Sequence, residues 1–113
     1  MTEHEILIFL GLMKKAGKLS VGEEASRKAA RSGKAVLFLL ASDASSNAVR
    51  RAADFSGLAH CPVLELTADK TALSDALGCA PFSIAAVTDR GFASALWNKL
   101  DQPQNHKAHT SRN

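Results

Sequence analysis

Apolar residues repeat along this chain with two different periods, and the alternation between them sets out the elements. Over residues 4–16, Ile6, Phe9, Leu10 and Met13 fall at i, i+3, i+4 and i+7, the spacing of a helix face. Leu7, Ile8 and Leu12 add apolar surface on a second side, so this helix is expected to be covered on more than one face. Gly17 is a suitable stop after Lys14 and Lys15, which suit the negative end of the helix dipole. Residues 18–21 read as a short extended segment, and Gly22 permits a close turn into a second helix over 23–32, with Ala25, Ala29 and Ala30 inward and Gly33 as its cap. Residues 35–41 (AVLFLLA) show no alternation, the pattern of a strand buried on both faces. Ser42, Asp43 and Ser45 offer capping oxygens to a third helix, along which Ala48, Ala52, Phe55 and Ala59 are spaced for burial. Residues 62–67 and 82–88 read as further strands. A helix opening at Asp69 or Thr71 runs to Leu77 and ends at Gly78, and Asp89 caps a last helix carrying Phe92 and Leu96. Strands alternating with helices predict a single-domain three-layer α/β/α sandwich. The domain is expected to span residues 1–100, with 101–113, rich in polar residues and bearing Pro103, as a disordered tail.

Composition narrows the class. At 113 residues, 46% hydrophobic, the chain can close one core. Its longest apolar run is far short of the about 20 residues of a membrane span, and its acidic start is unlike a secretory leader, so the expected location is the cytoplasm, with no membrane partner. Cys61 and Cys79 form neither a disulfide framework nor a zinc ribbon; two reduced thiols are expected. No motif calls for a cofactor.

Charge changes the picture more. The net charge is only +3, yet Lys14, Lys15, Lys18, Arg27, Lys28, Arg31 and Lys34 place half of the 14 basic residues in one short window, against Glu23 and Glu24. On a helical wheel Arg27, Arg31 and Lys34 share one side. A helix start bared by Gly22 and flanked by cations is suited to phosphate. The competing reading is a solvated helix face with i,i+4 pairs, Glu23 to Arg27 and Glu24 to Lys28.

The residues GLMKKAGKL (11–19), Gly22-Glu23-Glu24, Lys28, RSGKA (31–35), LLASDAS (39–45), Lys70, Leu73, Gly78 and VTDRGF (87–92) stand in an ordered series. Their spacing resembles the bacterial branch of the kink-turn RNA-binding ribosomal protein family, the L-seven-Ae type with its L-thirty-e relatives. The resemblance implies a three-layer fold with a mixed sheet of about four strands and non-catalytic binding to a structured RNA, a kink-turn or bulged stem, ribosomal RNA among the candidates. It implies that the second helix enters a widened major groove through a Gly-x-Asn-Glu-x-x-Lys pattern. Gly22 and Lys28 match that pattern, whereas Glu24 and Ala25 replace the Asn and Glu. Lys28 would donate to a guanine edge, with Glu24 and Lys70 beside it. Lys14, Lys15, Lys18, Arg27, Arg31 and Lys34 would attract phosphates. Pro81, Phe82 and Ser83 stand where the family has an apolar loop that covers unpaired bases. Phe82 would either stack on a base or start the buried strand. Ser42 replaces a frequent Glu lining the pocket of the protruding nucleotide.

Two other classes fit parts of the sequence. The departures at Glu24 and Ala25 suit a protein-interaction module that keeps the fold without kink-turn specificity. Asp43 and Asp89 each follow a strand and could hold a divalent cation in a small enzyme, although helix capping also accounts for both.

Overall fold

The computed structural model describes residues 1–100 and the backbone of a strand at Lys107–His109. Five helices, α1 (Glu3–Lys15), α2 (Glu23–Arg31), α3 (Ser46–Ala59), α4 (Lys70–Leu77) and α5 (Arg90–Leu100), alternate with strands β1 (Leu19–Val21), β2 (Leu37–Leu40), β3 (Val63–Glu65) and β4 (Ile84–Val87). Thr2 opens α1 with a capping box: its hydroxyl accepts the Glu5 amide and the Glu5 carboxylate accepts its own amide. The Thr2 amide holds the Glu5 carboxyl below its ordinary range.

The sheet order is β1-β4-β2-β3, extended by β5 (Lys107–His109). β2 and β3 are parallel, and β4 runs antiparallel to both β2 and β1, so the sheet is mixed as expected. The strands alternate between two cores. Leu37, Leu39, Leu64, Ala85 and Val87 pack with α1, α4 and α5, while Phe38, Leu40, Val63, Ile84 and Ala86 pack with α2 and α3. All four residues of β2 and of β4 are buried, which is why the sequence shows no alternation there. The second core is built largely from alanines, with Phe38 and Phe55 stacked obliquely at 5.9 Å. No helix among the described residues is long and apolar enough to cross a membrane.

Two expectations change. The segment read as a tail from 101 to 113 carries β5, antiparallel to β3 with Glu65 opposite Lys107. Strand addition at a sheet edge uses main-chain groups, so the absence of apolar side chains did not signal it; 101–106 and 110–113 lie outside the described residues. The cap of α3 is Ser45 alone, which accepts the Ala48 amide at 3.2 Å. Asp43 instead accepts the amide of Lys70, the first residue of α4, at 3.0 Å. That contact needs the parallel β2–β3 pairing, which brings the two following loops together at one sheet end.

Candidate nucleic-acid interface

One end of the sheet gathers the start of α2 and three loops. The Gly22 amide donates to the Ile84 carbonyl at 2.9 Å, Ala41 to Ser83 at 2.9 Å, and Ser42 to Ala68 at 2.9 Å, while Asp43 holds Lys70. Thus Gly22, Glu24, Ser42, Lys70 and Pro81–Ser83 do converge, although more than 60 positions separate the first from the last. Gly22 caps α2 with φ 99° and ψ 165° and no side-chain cap, a backbone region essentially reserved for glycine. The start of α2 is therefore reached by main chain alone.

The charges at this tip are paired off. Arg27 donates to Glu24 at 2.5 Å and to Glu23 at 3.1 Å, and lies 5.6 Å above the Phe55 ring. Arg51, from α3, donates to the other oxygen of Glu23 at 3.0 Å. Two carboxylates and two guanidinium groups cancel there. Arg27, expected to attract phosphate, is thus committed to its own helix and to α3. Of the two local pairs considered, Glu23–Arg27 forms, whereas Glu24 turns to Arg27 and leaves Lys28 with no ion pair among the described residues.

Lys28 faces away from α3, into a groove of about 680 Å³ between α2 and β1. Lys18, Lys28 and Lys34 line it with Ser20, Ser32 and Thr88 and no carboxylate. The helical-wheel grouping of Arg27, Arg31 and Lys34 does not survive, because α2 stops at Arg31. Gly33, at φ 75°, then turns the chain, and the Lys34 amide donates back to the Ala29 carbonyl at 3.1 Å. Arg31 stays exposed on the same outer stripe as Lys28. The groove hydroxyls were missed in the sequence; the only signal was Ser20 alternating with Leu19 and Val21. Arg51, 28 positions from Glu23, left none.

Three further residues move. Lys14 and Lys15 end α1 on the opposite layer and line a groove with Leu77 of α4, away from α2. Phe82 is 9% exposed and packs in the α1-side core, so it begins the buried strand and is not available for base stacking. Of that loop, Pro81 is exposed and Ser83 half-buried. Lys70 is half-buried at the start of α4.

The alternative metal site fails on topology. β4 is antiparallel to β2, with Leu40 opposite Ile84 and Leu37 opposite Val87. Asp43 follows the first and Asp89 the last of these strands' ends, so they stand at opposite ends of the sheet. Asp89 caps α5, accepting the Phe92 amide at 2.9 Å. Among the described residues no group of three or more His, Cys, Asp or Glu could hold a metal. Burial raises the Cys61 thiol to about 11, which leaves it protonated and unreactive at neutral pH.

No protein-family model matches the chain. It is 35% identical over 92 residues to the RNA-binding protein YlxQ of Bacillus subtilis, covering 81% of this chain and 91% of that protein. It is 33% identical over 84 residues to the RNA-binding protein YlxQ of Enterococcus faecium, covering 74% and 80%. The structure of a protein with unknown function from Bacillus halodurans C superposes with a TM-score of 0.75 at 31% identity, over 85% of this chain and 96% of that one. A 15.5kD RNA binding protein of Giardia lamblia shares the fold, with a TM-score of 0.66 at 18% identity over 86% and 85%. Identity at this level along nearly the whole of a relative is kinship, and the chain belongs to the bacterial YlxQ family, of L-seven-Ae type.

Proposed function

We propose that the protein is a non-catalytic RNA-binding protein that grips kinked or bulged stems by the start of α2 and the groove beside it. The observation that carries this reading is the lysine trio, Lys18, Lys28 and Lys34, unopposed in a hydroxyl-lined groove next to a glycine-bared helix start. Phosphate contacts position an RNA, and base contacts specify it. In this reading the groove takes one backbone strand, with Arg31 at its outer rim. The glycine lets a distorted groove approach the helix amides, and Lys28 reaches a base edge. Lys70 and Pro81 stand at the far side of the same sheet end, where an unpaired nucleotide would lie. The names of the YlxQ relatives support RNA as the partner class.

Glu23 and Glu24 do not oppose this as strongly as their formal charge suggests, because both are paired with arginine before any RNA arrives. With Lys28 at a base edge, three cations remain for phosphates: Lys18, Arg31 and Lys34. Binding should therefore weaken with salt at a log–log slope of roughly −2 to −3. The test compares a kink-turn RNA with a straight duplex of equal length. Preference for the kink-turn, lost in Lys28→Ala, is the expected result. Equal weak binding to both, unchanged by the substitution, would show that the fold has been kept for another purpose.

A further inference from the structure

The outer face of α1 carries an apolar stripe that neither core uses. Ile8 and Leu12 are 54% and 53% exposed. With His4, Leu7, Gly11 and Lys15 they line a groove of about 570 Å³ whose other wall is Ala76 and Leu77 of α4. Glycine is a poor helix former, yet Gly11 sits mid-helix, and a Cβ added there would meet nothing within 4 Å. No contact among the described residues requires the missing side chain. What it provides is a hole in the outer surface.

The stripe is complementary to its own reversed copy. About a midpoint between Phe9 and Leu10, an antiparallel copy of α1 sets Ile8 against Gly11, Leu7 against Leu12, and His4 against Lys15. The large Ile8 side chain meets the place left open by glycine, twice, as a twofold interface requires. The same register sets acidic Glu3 opposite Ala16, and so within a turn of Lys14 of the other copy, since α1 is acidic in its first turn and basic in its last. An isolated partner helix would need to supply this complementary pattern; this chain already contains it. We infer that the α1–α4 face is the docking surface for a second copy of this chain, with the two α1 helices antiparallel. The stripe spans about 16 Å of helix, and an interface of that length lies at the weak, reversible end of protein association. The lysine groove lies on the other layer and stays open, so this inference does not depend on the RNA reading.

Sedimentation equilibrium of the full chain, without RNA, from micromolar to millimolar concentration tests it. A monomer–dimer equilibrium is expected, weakened at least tenfold by Ile8→Arg and by Gly11→Leu. Because both positions border solvent, an unchanged melting profile should accompany the loss. Lys14→Glu should weaken the dimer and Glu3→Lys added to it should restore it, an outcome that misfolding cannot imitate. A wild-type chain that stays monomeric throughout, because the face is bare or serves a different protein, overturns the inference. So does a dimer indifferent to Ile8→Arg and Lys14→Glu.

Discussion

The tip of α2 and the groove along its side share one helix and hold nearly equal numbers of charged groups, but they present opposite characters. At the tip, Glu23 and Glu24 are tied to Arg27 and Arg51. In the groove, three lysines face hydroxyls and no acid. Formal charge is thus a poor guide to the field a ligand meets. What matters is whether each cation has a partner within the fold, and here packing against α3 decides it. The side of α2 facing α3 is neutralised, and the side facing β1 is not.

The sharpest way to break this contrast is to empty the groove. Replacing Lys18, Lys28 and Lys34 together by Ala should weaken RNA binding by more than the about 1–3 kcal/mol expected for Lys28→Ala alone. The salt slope should become shallower by about 1–2, as measured by affinity titrations across ionic strengths. An unaltered slope would mean that the phosphates lie elsewhere. Next comes the backbone of the tip. Gly22→Ala places a side chain in open space but forces it into a glycine-only conformation, so chemical denaturation should show a loss of about 1–3 kcal/mol. A smaller effect is expected where sequence charge alone would predict a large one. Arg27→Ala should leave the salt slope nearly unchanged and cost at most about 1 kcal/mol of stability, from a partly exposed ion pair and its contact with Phe55. The last test concerns the helix floor between the two regions. Ser26 is fully buried and its hydroxyl has no hydrogen-bond partner among the described residues. Ser26→Ala should stabilise the fold by up to about 1 kcal/mol, seen as a higher melting temperature, with RNA affinity intact.

Periodicity and capping made the main elements legible. The unbroken run at 35–41 announced a doubly buried strand because apolar residues on both faces have no other use. The candidate site was legible in part. Gly22 and Lys28 match the pattern of the family that the sequence resembles, and both lie at the proposed surface. Arg27 misled because Phe55, over whose ring it lies, and Arg51, which shares its Glu23, come from an element 20 or more positions away. Lys34 misled because the wheel was carried past the helix end that Gly33 imposes. Lys14 and Lys15 are close to Lys18 in number but sit on the other layer, since the turn at Gly17 crosses from helix to sheet. Pairing of an edge strand such as Lys107–His109 leaves no trace in hydropathy at all.

Ala29 has two neighbours that rarely share one residue: it belongs to the core under α2 and also lines the lysine groove. The packing under the helix and the wall of the groove therefore share one methyl group. Enlarging that side chain would disturb the core and the groove wall together without touching a single charge, so the shape of the proposed RNA groove is tied to the hydrophobic interior.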